Sequence, residues 1–530
     1  MKLSKLLLTA AITISPAIMT GQAIESPITR AMMQVYDQVI DENPRDYETL
    51  LRRGNEYYNH NIYFKALDDV NNALRYIPED DKDSRFRALM LRANIYTMSH
   101  RSAEALKDLD EALTLEPGNF VATFLRGNAE YNLGQYGKAQ DDYASMLRTN
   151  PRSQDAMFGL AKVAVKQNNL GVAADYANRA VELSPNISDV YMQRGEVNEL
   201  ANNTSGAVTD YITAISTDSE NTAHALRHLV KLSDTNYSVV MAGLSDAIHK
   251  APRAGMFYYI RAMIAQGHCH YQAAISDYDK IIKDKLYSYG GLNASLAECY
   301  YALGKFDTAL LNVDYAITAS EDNAEYYVLK SQIERALGNN EDALKAAEKA
   351  IEKKPDLNSA LQAKALALVN LEKYQDASVL LSEAVLNDSS DPYLLMLRGW
   401  ILNTYRNQPD VAKTCYERVI DMDFDFDRVD SFKGFAYLFL GRDTEADRWM
   451  DTILEHAEDN DGVVSYYASC YYAQKGAKDL AFRCMEAALK KGYANYYNWA
   501  FNKDARINVE PLRSDPRFKK LLETYASLFK

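Results

Sequence analysis

The chain has 530 residues, a length that would suit three or four globular domains of ordinary size. Its 23 glycines and 13 prolines are too few for the many turns of a β-rich protein, so a mostly helical protein is expected. The hydrophobic content of 47% excludes a disordered chain, and a formal net charge of −14 without a basic run argues against nucleic-acid or anionic-membrane binding.

The first 23 residues have the pattern of a Sec signal peptide. Lys2 and Lys5 form a basic start, an apolar stretch runs from Leu6 to Met19, and small residues precede a cleavage site near Ala23. This apolar stretch is too short to span a bilayer as a helix, and no later stretch is long enough. We therefore expect an exported protein, periplasmic or extracellular, without stable membrane insertion.

A period of about 34 residues runs through most of the chain. Alanine recurs at intervals of 33–35 residues, apart from one interval of 39 residues and one interruption by Val240. The members of this alanine column are Ala66, Ala105, Ala139, Ala173, Ala207, Ala274, Ala309, Ala343, Ala377, Ala412, Ala446 and Ala481. A second column, of Gly or Ala, stands 12 residues earlier in most repeats, and Pro stands 12 residues later in six of them.

Each period predicts two antiparallel helices. Small residues halfway along each helix let the two axes approach closely, and large residues such as Tyr143 and Tyr211 fill the space between pairs. Proline ends the second helix because it lacks an N–H and clashes with the preceding turn. Glycine at the turn between the helices permits a positive φ. The predicted turn glycines are Gly134, Gly304, Gly338, Gly441 and Gly476.

These columns resemble tetratricopeptide repeats of the exported bacterial type. The resemblance implies an all-α fold, a right-handed α-solenoid of about 13 helix-turn-helix repeats with capping helices at both ends. Residues 24–45 are the predicted N-terminal capping helix, residues 46–219 repeats 1–5, and residues 254–490 repeats 7–13. Repeat 6, residues 220–253, has His228 and Val240 where small residues are expected, which makes it the candidate hinge.

Residues 491–530 are predicted to form a C-terminal capping segment. Asp515 is placed to cap a final helix, and Pro516 suits the first turn of that helix. Apolar residues that follow, beginning with Phe518, would cover the exposed last repeat.

In this family the first helix of each pair lines a concave groove, which is where the resemblance places function. Asn55, Asn94 and Asn128 follow the small residues of the first three repeats and would form a ladder of amides able to hydrogen-bond an extended peptide. The alternative is that these asparagines bond within the repeat array. Tyr58 and Tyr131 are predicted on the same face.

Four aromatic residues are predicted in the groove of the later repeats: Tyr393, Trp400, Phe435 and Tyr466. They would either hold aromatic or apolar side chains of a partner or pack against the capping segment. Two further functional alternatives stay open. One is a carrier of a glycan or small ligand around Trp400 and Tyr466, and the other is a self-associating structural array.

No catalytic motif, cofactor motif or metal motif is found, so an enzyme is not expected and no cofactor is predicted. His224 and His228 have a spacing that suits two ligands on one helix face, but we expect a structural role for them. Glu196, Glu199 and Glu298 are predicted on the inner face of the middle repeats. The sequence thus predicts a non-enzymatic exported scaffold that binds a protein or peptide in its groove.

Overall fold

The computed structural model describes residues 27–218, 222–287, 290–387, 390–423, 429–457 and 459–529. Within these ranges the regular structure consists of 28 α-helices and four short 3-10 helices, with no strand. The predicted signal peptide, residues 1–23, lies outside the described residues, so export stays a prediction.

The α-helices of the first half, in chain order, are α1 (Pro27–Glu42), α2 (Tyr47–Asn59), α3 (Tyr63–Tyr76), α4 (Lys82–Met98), α5 (Ser102–Leu115), α6 (Phe120–Asn132), α7 (Tyr136–Thr149), α8 (Gln154–Lys166), α9 (Leu170–Leu183), α10 (Ser188–Leu200), α11 (Thr204–Thr217) and α12 (Thr222–Lys250). Those of the second half are α13 (Gly255–Gly267), α14 (Tyr271–Asp284), α15 (Leu292–Ala302), α16 (Phe306–Ala319), α17 (Ala324–Leu337), α18 (Asn340–Lys353), α19 (Asn358–Asn370), α20 (Tyr374–Asn387), α21 (Pro392–Thr404), α22 (Pro409–Asp421), α23 (Lys433–Phe439), α24 (Asp443–His456), α25 (Val463–Lys475), α26 (Lys478–Lys490), α27 (Tyr496–Ala500) and α28 (Pro516–Thr524). The 3-10 helices are Val429–Ser431, Asp504–Arg506, Glu510–Leu512 and Ala526–Leu528.

The helices follow the predicted repeats. The pairs α2/α3 to α10/α11 are repeats 1–5, the pairs α13/α14 to α25/α26 are repeats 7–13, and α12 corresponds to repeat 6. The two helices of each pair pack against one another, and so do helices of neighbouring pairs. The predicted all-α helical repeat fold is confirmed.

Local signals explain where the helices begin and end. The side chains of Asp46, Asn119 and Ser153 each accept a hydrogen bond from a backbone N–H in the first turn of a first helix. The tight turn inside each pair uses a residue with positive φ. The five predicted turn glycines all have this conformation, with φ from 71° to 86°: Gly134, Gly304, Gly338, Gly441 and Gly476.

Glycines of the first helices make room for aromatic rings of the second helices. A Cβ atom added to Gly127 would come within 2.8 Å of the Tyr143 ring, and one added to Gly159 would come within 2.7 Å of it. Tyr143 is 1% exposed and thereby joins α7 to the first helices of two successive repeats. Tyr211 lies against Gly195 in the same way. Large side chains thus fill the space between pairs, as predicted.

The chain divides into two compact units between Gly243 and Leu244, a position inside α12. The described part of the N-terminal unit covers residues 27–243, and that of the C-terminal unit begins at residue 244 and ends at residue 529. The backbone of α12 leaves helical geometry at Asn236, with φ −132° and ψ 41°. A hinge motion in repeat 6 stays a prediction.

Both terminal helices pack against the array. In the N-terminal unit, α1 packs against α2, and Arg53 of α2 lies 2.7 Å from Asp37 of α1. In the C-terminal unit, α28 packs against α26. Asp515 caps α28 by accepting a hydrogen bond from the backbone N–H of Arg517, and Pro516 occupies its first turn, as predicted.

Candidate functional site

Arginine–aspartate ion pairs join the two helices of five repeats. In repeat 1, Nε and Nη2 of Arg53 donate to both carboxylate oxygens of Asp69 at 2.8 and 2.7 Å. The corresponding pairs are Arg92–Asp108, Arg126–Asp142, Arg194–Asp210 and Arg261–Asp277. The aspartate side chains are only 3–11% exposed, which strengthens these charge-assisted hydrogen bonds.

These ion pairs were not predicted, although their signal is present in the sequence. Each arginine directly precedes the small residue of a first helix, and each aspartate stands three residues after an alanine of the alanine column. In these five repeats the arginine holds one side of the first helix against the second helix. Because successive helical residues are rotated by about 100°, the asparagine two positions after the arginine points to the opposite side.

The asparagine ladder therefore lies on the predicted inner face of α2, α4 and α6. The side chain of Asn55 is exposed, whereas Asn94 and Asn128 are half-buried. The hydroxyl of Tyr143 donates a hydrogen bond of 2.7 Å to Oδ1 of Asn128. The side-chain oxygen of Asn128 thus bonds within the repeat array, in line with the alternative interpretation. The side-chain NH2 group of Asn128 is the donor that a ligand could accept from.

Two half-buried tyrosines accompany the ladder. The rings of Tyr58 and Tyr63 are 6.1 Å apart, and those of Tyr131 and Tyr136 are 5.5 Å apart in an edge-to-face arrangement. Each pair joins the end of a first helix to the start of its second helix, so Tyr58 and Tyr131 are held by aromatic contacts. Contact of these residues with a partner stays a prediction.

A buried carboxyl group lies next to this face. Glu130 of α6 is 6% exposed, and its Oε2 atom has no hydrogen-bond partner among the described residues. Burial, and then the negative charge of Asp142, raise the pKa of Glu130 to about 7. Glu130 therefore exchanges a proton near neutral pH.

In the C-terminal unit, the C-terminal segment lies along the first helices. The Tyr497 ring is 4.6 Å from that of Tyr301 at the end of α15, and the Phe501 ring is 5.1 Å from that of Phe306. Further along, the turn Asp504–Arg506 packs against α21 and the turn Glu510–Leu512 packs against α25. The segment was predicted to cover the last repeat, and it also reaches repeats 8, 9 and 11.

An ion pair anchors this segment. Nη1 and Nη2 of Arg335 at the end of α17 donate to the two carboxylate oxygens of Asp504 at 2.9 and 2.8 Å. Nη2 also donates to the hydroxyl of Tyr497 at 3.2 Å. The side chains of Arg335 and Asp504 are 11% and 13% exposed. The carboxylate of Asp504 therefore compensates a charge that has little access to water.

The prediction of an aromatic groove open to a partner was wrong for Phe435 and Tyr466. Phe435 is 0% exposed and Tyr466 is 1% exposed, so neither side chain can touch a partner. The ring of Tyr466 stacks on that of Tyr493 at 4.8 Å and meets Trp499 edge-on at 5.0 Å. The capping segment thus covers Tyr466, while Phe435 packs against aromatic rings of α23 and α25.

Of the other two predicted groove aromatics, Tyr393 is half-buried beside Phe432, with the ring centroids 5.8 Å apart. Trp400 is 7% exposed and borders a surface cavity of about 480 Å³. The cavity is also lined by Arg335, Tyr405 and Asp504. The part of the predicted aromatic site around Trp400 therefore borders a cavity lined by both polar and aromatic side chains.

Metal-ligating side chains of the described residues converge at Glu196, His224 and His228, whose ligand atoms all lie within 4.8 Å of one another. All five cysteines are free thiols, and Cys484 is the one that is not fully buried. None of the helices in the described ranges combines the length and the hydropathy needed to cross a bilayer.

Comparison with known proteins identifies the repeat. Residues 124–186 and 294–358 match the family model of the tetratricopeptide repeat, and residues 334–425 match that of the N-terminal tetratricopeptide repeat region of psidin. The chain is 25% identical over 149 residues to the Hsp70-Hsp90 organizing protein of Triticum aestivum, covering 28% of this chain and 24% of that protein. It is 25% identical over 142 residues to Hsp70-Hsp90 organizing protein 3 of Arabidopsis thaliana, covering 27% and 23%. The chain thus spans about a quarter of the length of these relatives.

Solved structures of low sequence identity also align with the chain. Yeast Tom70, at 16% identity and a TM-score of 0.35, covers 76% of this chain and 96% of its own. A tetratricopeptide repeat protein from Parabacteroides merdae, at 16% identity and a TM-score of 0.28, covers 54% of this chain and 98% of its own.

Proposed function

We propose that this chain, which is a tetratricopeptide repeat protein, is a non-enzymatic, exported scaffold. Its N-terminal unit binds an extended peptide segment of a protein partner across α2, α4 and α6. The asparagine ladder supplies hydrogen bonds to the peptide backbone, and Tyr58 and Tyr131 supply apolar contact. Relatives named as organisers of Hsp70 and Hsp90 support a role in protein interaction.

The observation that carries this proposal is the path of the C-terminal segment. In the C-terminal unit, residues 496–512 lie on α15, α21 and α25, which are first helices of their repeats. The chain itself thus supplies an example of a non-repeat segment held by first helices through aromatic contacts and one ion pair. The first helices of repeats 1–3 offer side chains for a similar contact with another chain.

The chemistry of the ladder selects the kind of peptide. An amide side chain has both a donor and an acceptor, so Asn55 and Asn94 match the alternating N–H and C=O groups of an extended backbone. Such contacts do not depend on the sequence of the peptide. Specificity would come from the rings of Tyr58 and Tyr131, which suit contact with an apolar or aromatic side chain.

The test is a capture experiment from the envelope of the source cell. The wild-type chain is compared with the double variant Asn55→Ala/Asn94→Ala, which leaves the Asn128–Tyr143 hydrogen bond intact. The control is Gln140→Ala, which removes an exposed amide from α7, a second helix. Circular dichroism verifies that all three chains are folded.

We expect wild type and the control to retain a partner that the double variant loses, with chemical cross-links from that partner to α2, α4 or α6. Equal capture by all three chains, or cross-links confined to residues 244–529, would contradict the proposed site. Export is tested separately by mass spectrometry of the chain from its source. Cleavage near Ala23 is expected, and a mature N-terminus at Met1 would contradict export.

The cavity beside Trp400 supports a second candidate function, the binding of a glycan or another small polar ligand. Trp400 and Tyr405 offer aromatic surfaces, and Arg335 and Asp504 offer polar groups at the cavity wall. Quenching or a shift of tryptophan fluorescence on titration with oligosaccharides would support it. The variant Tyr405→Ala should then weaken binding, and an unchanged affinity would exclude the cavity as the site.

A further inference from the structure

Two glutamates and two histidines converge at the junction of repeats 5 and 6 in the N-terminal unit. Glu196 and Glu199 are one helical turn apart on α10, and His224 and His228 are one turn apart near the start of α12. Ligand atoms of Glu196, His224 and His228 lie within 4.8 Å of one another. The histidine spacing was noted in the sequence, but the carboxylates come from a helix that begins more than 30 residues earlier.

The distance between the two imidazoles suits a shared metal ion. The Nε2 atoms of His224 and His228 are 3.3 Å apart. Two nitrogen ligands of a tetrahedral zinc ion, each at about 2.0–2.1 Å from the metal, are separated by about 3.3 Å. The same separation also permits a hydrogen bond between the rings, so a second feature must distinguish a metal site from a hydrogen-bonded pair of imidazoles.

That second feature is the orientation of His228. Its Nδ1 atom lies 2.6 Å from Oε1 of Glu199, and the hydroxyl of Tyr211 donates a hydrogen bond to the same oxygen. The imidazole also stacks on the Tyr211 ring at 4.6 Å. When Nδ1–H donates a hydrogen bond to a carboxylate, the lone pair of the neutral imidazole is on Nε2, which is the supporting arrangement that metal-binding histidines use.

The exposure and the charge of these side chains are compatible with a bound cation. His224 is exposed, and Glu196 and His228 are half-buried, so water or a partner side chain can reach a remaining coordination position. Lys162 Nζ lies 2.7 Å from Oε2 of Glu196, which leaves the other carboxylate oxygen for the metal. Three protein ligands with one open position are typical of accessible zinc sites.

We propose that Glu196, His224 and His228 bind a divalent transition-metal ion of the zinc type, with Glu199 as the positioning residue for His228. The ion links α10 to α12. His228 stands where other repeats have a small residue, and its bulk is expected to keep the helix axes of repeat 6 further apart. Metal ligation supplies a different connection between these two first helices.

The test is a titration with Zn²⁺ and with Co²⁺ of the chain produced without an affinity tag. Variants His224→Ala and His228→Ala remove ligands, and Glu199→Gln removes the positioning charge. The control is His249→Ala, which removes an exposed histidine elsewhere on α12. Circular dichroism before the titration verifies that each variant is folded.

Wild type and the control are expected to bind one equivalent of Zn²⁺ and to give the visible absorption of tetrahedral Co²⁺. Both ligand variants should lose that equivalent and that absorption. Glu199→Gln should weaken binding about 10- to 100-fold, because the loss of a supporting carboxylate has effects of this size. Absence of binding to wild type, or equal binding by wild type and both ligand variants, would overturn the proposal.

Discussion

Replacing Asp504 by Asn is expected to destabilise the C-terminal unit by about 3–5 kcal/mol, the usual effect of leaving a buried charge without its partner. The Arg335 side chain is 11% exposed and donates two hydrogen bonds to the Asp504 carboxylate, at 2.9 and 2.8 Å. The variant keeps the shape of the side chain and removes its charge. The remaining hydrogen bond to Tyr497 is made with a neutral hydroxyl and cannot compensate the arginine.

Tryptophan fluorescence during urea denaturation measures this effect in the relevant unit. The three tryptophans of the chain, Trp400, Trp449 and Trp499, all belong to the C-terminal unit. The fluorescence transition therefore reports unfolding of that unit and not of the N-terminal one. A loss of stability appears as a lower midpoint in urea at an unchanged slope.

An exposed ion pair of the same segment serves as the control. Arg517 Nη1 lies 2.6 Å from Asp479, but their side chains are 47% and 88% exposed. Asp479→Asn is expected to leave the midpoint unchanged, because water screens such pairs. Equal midpoints for Asp504→Asn, Asp479→Asn and wild type would refute the reasoning that Arg335 needs a counter-charge.

Three further predictions concern packing, protonation and thiol reactivity. Gly127→Ala should destabilise the N-terminal unit by about 1–2 kcal/mol, because the new Cβ meets the Tyr143 ring and the overpacking exceeds the gain in helix propensity. Urea denaturation followed by circular dichroism measures this loss. The control Gly137→Ala, whose Cβ meets nothing within 4 Å, should keep its stability, and equal losses for the two variants would contradict the packing argument. The pKa of Glu130 is raised from 4.5 to about 7, so the stability that its proton provides is full below pH 4.5 and is lost as the pH rises through 7. Glu130→Gln should therefore unfold at a higher temperature than wild type at pH 8 and at the same temperature at pH 4. A difference in unfolding temperature that is the same at both pH values would contradict this titration. In the folded chain Cys484 should react first with a thiol reagent, since the other four thiols are buried, and five equally fast thiols would contradict this.

The repeat architecture could be predicted from the sequence alone. The alanine column predicted the helix pairs, because each small residue marks a close approach of two helices that are neighbours along the chain. Gly134 and its counterparts marked the turns, and Asp515 marked the cap of α28, because these are local backbone preferences. The Arg53–Asp69 type of ion pair was also readable, since its two residues are always 16 positions apart.

The accessibility of the groove residues, in contrast, depends on contacts between residues that are far apart in the chain. Arg335 and Asp504 are separated by 169 positions in the chain, and no periodic pattern connects them. Tyr466 was predicted in the groove from its place in the repeat, but Tyr493 and Trp499 of a non-repeat segment cover it. A repeat encodes contacts between neighbouring units, and the docking of a non-repeat segment depends on side chains that distant helices bring together only after they have stacked.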